Sequence, residues 1–196
     1  IGTNKEAIIK MHKTNYGKRI FNLKNTNNET IKASPNFTKL LPAVHKPNYF
    51  WALEENNIWL INRSTGDYKK YFNSDLINIA GLKYEPELTD LFIASDSIAW
   101  ISSFNNGLYK WNYLTDKVDH FYPGDLKKQD RIIGLNNMVP KSDTEIFISS
   151  SGHGLLVFNT KTKSFNKYEN KPGRNLSIHE GACRTMFKDK KGALWI

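Results

Sequence analysis

Any chemistry in this chain has to come from a short stock of residues. Five histidines and one cysteine are present. His12, His45 and His120 stand far apart, without the close spacing of histidine metal ligands, and Cys183 alone builds neither a disulfide framework nor a thiolate metal site. No metal and no other cofactor is therefore expected. Glycoside hydrolysis needs two carboxylates held about a glycosidic bond. The acidic residues do not fall at spacings that set up such a pair, so no catalytic residue is expected. What the chain offers instead is hydrogen-bonding side chains beside an aromatic face, the combination that suits a sugar ring. Phe104, Asn105 and Asn106 lie in one polar stretch and Ser151 and His153 in a second, while Arg131, Arg174, Asn175 and His179 lie in two more.

Residues so scattered need a scaffold that brings them to one place, and the stretch 146–168, IFISSSGHGLLVFNTKTKSFNKY, shows what it is. Three short runs with aromatic or β-branched content, 145–149, 155–159 and 164–168, read as strands. The turn-like stretches 151–154 and 160–163 between them have hairpin length. The unit is an antiparallel meander, and the rest of the chain restates it. Ile101 matches Ile148, Gly107 matches Gly154, Asn112 matches Asn159 and Phe121 matches Tyr168, at a constant offset of 47. The plan returns in 51–71 with one residue deleted from its first loop, more weakly in 1–21, and it begins again at 192–196. The aligned positions Ile1, Ala52, Ile101, Ile148 and Ile196 are 51, 49, 47 and 48 residues apart. A period near fifty with several strands in each period predicts an all-β fold of β-propeller blades, each a four-stranded antiparallel meander. About four repeats of 47–51 residues are expected, as one segment of a larger propeller. The blades fall at 1–23, 37–72, 89–122 and 135–169, with a partial blade at 182–196. Residues 23–36 read as a long loop, and 76–82 are equally compatible with a short helix or an extra strand.

The remaining numbers narrow the function classes. With 196 residues, 39% of them hydrophobic, the chain can bury a sizeable core without disulfides. No apolar run approaches the roughly 20 residues of a membrane helix, so any membrane contact is expected through a segment outside this chain. The formal net charge of +9 raises a nucleic-acid reading, but the lysines fall in turns and at strand ends, among them Lys69, Lys70, Lys127, Lys128, Lys161, Lys163, Lys190 and Lys191. They read as a solvated rim, and no nucleic-acid partner is expected.

The repeat itself resembles a known family. The segments DKKGALWI at 189–196, AWIS at 99–102 and IFIS at 146–149, with NGLYKWN at 106–112 and HGLLVFN at 153–159, are similar to the two-component regulator propeller repeat. That resemblance implies the periplasmic sensor region of a hybrid two-component histidine kinase of Bacteroidetes, with kinase and regulator parts outside these residues. It also implies an oligosaccharide ligand, polysaccharide utilisation as the controlled process, and pairing of two copies through the parent protein. The positive charge mildly favours an acidic glycan. Two other classes are weighed: a non-catalytic propeller scaffold that associates with a protein or with itself, and a propeller glycosidase. For the latter, Asp189 and Gly192 resemble the aspartate box of such blades with the spacing off by one.

Topology then selects a rim. In a four-stranded meander the loops between second and third strands share one end with the loops between blades. Phe104, Asn105, Asn106, Ser151 and His153 should therefore meet Arg131, Arg174, Asn175 and His179 there. The opposite end, 62–67, 112–117 and 159–163, reads as turn chemistry. Trp51, Trp100 and Trp195 share one repeat position and are expected to pack sheet against sheet, and Gly107 and Gly154 are expected to serve hairpin geometry.

Overall fold

A computed structural model describes residues 2–4, 7–11, 18–22, 36–44, 46–54, 56–72, 86–124, 133–168 and 183–196. Every regular element among them is a β-strand. Two compact units are formed, Ile1–Asp75 and Leu76–Ile196. The stretches 23–35 and 76–82, discussed above, lie outside the described residues.

The first unit holds two antiparallel sheets. One has the order β1 (Gly2–Asn4), β2 (Ala7–Met11), β3 (Lys18–Asn22). The other runs β4 (Lys39–Pro42), β5 (Tyr49–Glu54), β6 (Asn57–Asn62), β7 (Tyr68–Phe72). Its core is Ala52, Trp59 and Ile61, with Phe37, Leu40, Phe50 and Tyr68 packed against them. The inner strand expected over 37–45 is shortened to four residues, because Pro42 has no amide to donate and the chain turns back through a Lys46 N–H to Ala43 carbonyl bond.

Two complete meanders make up most of the second unit. The first is β8 (Leu88–Ile93), β9 (Ile98–Ser103), β10 (Gly107–Asn112), β11 (Lys117–Phe121). The second is β12 (Gly134–Ser142), β13 (Glu145–Ser151), β14 (Gly154–Asn159), β15 (Ser164–Lys167). A last hairpin pairs β16 (Phe187–Lys188) with β17 (Leu194–Trp195). Within the partial blade expected at 182–196 the inner strand is only the two residues Phe187–Lys188.

The sheets of the second unit pack face to face. Trp100 and Leu108 of the first meander share a core with Leu135, Met138, Ile148, Leu156 and Phe158 of the second. The Trp100 and Phe158 rings lie 5.4 Å apart at 64°, an edge-on pairing that adds about 0.5–1.5 kcal/mol beyond area burial. The opposite face of the second meander, through Val139 and Leu155, packs on Met186 and Leu194. Leu155, Leu156, Val157 and Phe158 are accordingly all buried. A strand covered on both faces has no solvent side, so its sequence is a continuous apolar run with no alternation.

Polar groups fix the spacing of these sheets. Each inner strand carries a β-bulge near its start, at Leu88/Asp90 and at Leu135/Asn137. The bulge turns two adjacent side chains toward the next sheet. Thr89 Oγ1 donates to the Leu135 carbonyl at 2.6 Å while Asp90 Oδ2 accepts from the Met138 amide at 2.7 Å. One repeat later, Asn136 Nδ2 donates to the Cys183 carbonyl at 2.9 Å and Asn137 Oδ1 accepts from the Met186 amide at 3.1 Å. A donor followed by an acceptor, both meeting main chain, thus latches each sheet to the next.

Candidate ligand-binding site

The two hairpin loops expected on one rim, at 104–106 and 152–153, have unlike surroundings. In the first, the Phe104 amide donates to the Glu87 carbonyl at 2.8 Å, and the ring is 36% exposed. That ring lies over Gly134 of the next meander, where a methyl group would meet its carbons at 2.7 and 2.8 Å and Ser151 Cβ at 3.2 Å. Phe104 and Ser151 thus each come up against Gly134 at the seam, the two expected rim residues that the structure places beside one glycine.

The polar groups beside Phe104 serve the loop itself. Asn105 Oδ1 accepts from the Ser103 hydroxyl at 2.8 Å and from the Glu87 amide at 3.0 Å. Asn106 is fully buried, with its amide donating to Ser103 Oγ and its carbonyl bonded to the His120 ring. Burial holds the His120 imidazole below its ordinary pKa, against which the bond to the Asn106 backbone acts. The neighbouring Tyr109 ring sits 4.8 Å from His120, and burial pushes its phenol well above the ordinary value. Gly107 closes the turn at φ +85°, and a Cβ there would stand 2.6 Å from the Phe121 carbonyl oxygen. As the repeat implied, hairpin geometry accounts for this glycine.

In the second loop Ser151 Oγ accepts from Asn136 Nδ2 at 3.1 Å, joining the latch. His153 is exposed and faces outward, into a cleft of about 360 Å³. That cleft is lined along the outer strand β15 and its turn by Lys167, Asn166, Phe165 and Lys163, and by Tyr122 and Pro123, which follow β11. Arg131, Arg174, Asn175 and His179 lie outside the described residues.

Of the cleft residues the sequence picked out His153, and Lys163 was passed over because 159–163 reads as turn chemistry. It does make a turn. Asn159 Oδ1 accepts from the Lys161 and Thr162 amides, and Lys163 follows in the left-handed region at φ +57°. A comparison of matched repeat positions carries the missing signal. Where β11 and its turn have Asp116, Asp119 and His120, β15 and its turn have Lys163, Asn166 and Lys167.

Four tryptophans and Asp189 prove structural. Trp51, Trp59, Trp100 and Trp111 are each at most 5% exposed, whereas Trp195, expected to pack between sheets with Trp51 and Trp100, is exposed. Asp189 Oδ1 accepts from the Lys191 and Ala193 amides at 2.9 Å, and Oδ2 accepts from Trp195 Nε1 at 3.0 Å. These bonds hold the Asp189 carboxyl below its ordinary pKa. Both oxygens build the turn, so the likeness to an aspartate box lies in turn construction. Among the described residues no cluster of three or more His, Cys, Asp or Glu could hold a metal ion.

No family model matches the chain. "Histidine kinase P4" of Formosa agariphila is 26% identical over 174 residues, covering 88% of this chain. The chain spans 12% of that relative's length. Among solved structures, the extracellular domain of the hybrid two component system BT3049 from B. thetaiotaomicron superposes with a TM-score of 0.58 at 16% identity, over 92% of this chain and 28% of that one. The corresponding domain of BT4673 gives 0.59 at 13%, over 96% and 23%. The β-propeller domain of Cps50 from Myceliophteria thermophila gives 0.60 at 9%, over 98% and 61%. The fold is that of a β-propeller segment, shared with the extracellular domains of those two-component systems, and in sequence the chain is similar to a histidine kinase.

Proposed function

We propose that this chain is a ligand-sensing propeller segment of a hybrid two-component histidine kinase. It binds an oligosaccharide in the periplasm without turning it over, and the bound state is signalled across the membrane to control polysaccharide utilisation. The observation that carries this reading is the likeness to a histidine kinase over 88% of the chain. The kinase and regulator parts, the membrane segment and the pairing of two copies belong to the parent protein in this reading. The Phe104 ring supports it, an aromatic surface partly open to solvent where two blades meet at Gly134.

Thermal denaturation against a panel of plant and host oligosaccharides tests the reading. A ligand at 100 times its dissociation constant should stabilise the chain by about 2.7 kcal/mol. A panel with no shift contradicts a sensor, and cleavage of any glycan contradicts a non-catalytic one.

A further inference from the structure

We propose that the cleft along β15 binds an acidic sugar unit, a uronate or a sulfated pyranose, at a place separate from the Phe104 and Ser151 rim. This inference rests on the reading of the chain as a saccharide sensor and assigns that ligand's charge and location.

The cleft's volume of about 360 Å³ falls within the range of small-ligand sites. Its cations bracket it. Lys163 stands in the turn just before β15 and Lys167 at the strand's far end, so the two cations flank the lining residues Ser164, Phe165 and Asn166. His153 stands among the same lining residues. Between the cations, Ser164 and Asn166 supply hydroxyl and amide groups for sugar hydroxyls, and Phe165 supplies an apolar surface. No Asp or Glu occurs among the described lining residues, so nothing there repels a carboxylate or sulfate.

The repeat shows that folding does not demand this charge. The preceding blade builds the same strand and turn with Asp116, Asp119 and His120. At the matched positions this blade exchanges two carboxylates for a lysine and an amide, and a histidine for a second lysine. The left-handed turn position holds Gly66, Asp116 and Lys163 in three successive blades. A lysine gains nothing from that backbone conformation that a glycine would not. The strand plan is kept while its charge is inverted, and the inversion faces a cleft.

The experiment is calorimetric titration of the 196-residue chain with digalacturonate and a sulfated chondroitin disaccharide. A neutral digalactoside and inorganic sulfate serve as comparison probes. The acidic disaccharides should bind more tightly than the neutral one, and added salt should weaken them. Replacing both cations, Lys163→Ala with Lys167→Ala, should weaken binding roughly tenfold and flatten the salt dependence, since each partly exposed ion pair contributes a modest amount. Lys161→Ala, an exposed lysine of the same turn outside the lining, should change neither. The inference is overturned if the neutral disaccharide binds equally well, if the double variant binds unchanged, or if sulfate alone binds as tightly as the acidic sugars. In those outcomes the chain still responds to saccharides and the sensor reading survives. Silence toward every saccharide instead overturns both together.

Discussion

Asp90 shows how much of this fold rests on single buried polar groups. Its carboxylate is 1% exposed and accepts from Met138 N and Asn137 Nδ2, both at 2.7 Å, in the neighbouring blade. Asp90→Ala strands those donors in a dry seam. We expect a loss of about 2–4 kcal/mol in urea unfolding, with Asp90→Asn losing less because its amide oxygen can still accept. His120 acts in the opposite sense, as a group whose ionisation the fold resists. Its pKa is lowered by burial, so above the ordinary value near 6.5 both folded and unfolded chains hold it neutral. As pH falls below that value the unfolded chain takes up the proton first, and stability declines until the folded pKa is passed. His120→Gln, which can still donate to the Asn106 carbonyl, should flatten that part of the stability profile against pH. A slope unchanged in the variant would assign it to other groups.

The third-to-fourth-strand turns show what one element requires. Asn62, Asn112 and Asn159 each accept two following amides on the side-chain oxygen, and each turn ends in the left-handed region at Gly66, Asp116 or Lys163. Lys163→Gly removes the side-chain clash of that conformation and should raise stability by about 0.5–1 kcal/mol. The same variant should weaken acidic-sugar binding, so fold and ligand effects run in opposite directions. These turns were legible because asparagine recurs at a fixed offset before them, and the strands were legible through their repeated apolar runs. The latches were not. They join side chains to main chain, so Thr89 with Asp90 and Asn136 with Asn137 do one job without matching in residue type. Asn105 and Asn106 carry a related ambiguity. Loop closure and sugar recognition call on the same amide groups, and here the 104–106 loop uses them itself. The cleft was hidden by reading 159–163 for its turn alone, although the exchange of Asp116 and Asp119 for Lys163 and Asn166 was present in the sequence.

For the whole molecule, the repeated latch makes the second unit an array in which each blade is positioned by the one before it. For the proposed sensor, a ligand bound at a seam, such as the one where the Phe104 ring of one blade lies over Gly134 of the next, would act on the fit between blades. The lysines complement this use, since several lie over aromatic rings, as Lys70 does 4.3 Å from the Trp59 centroid, and keep their charge at the surface. Whether the chain binds a saccharide and leaves it intact, as proposed, is decided by calorimetric titration with the glycan that most raises the melting temperature, followed by chromatography of the recovered sugar. Saturable binding of one glycan per chain with the sugar returned unchanged is expected; the absence of binding heat, or recovery of shortened products, contradicts the proposal.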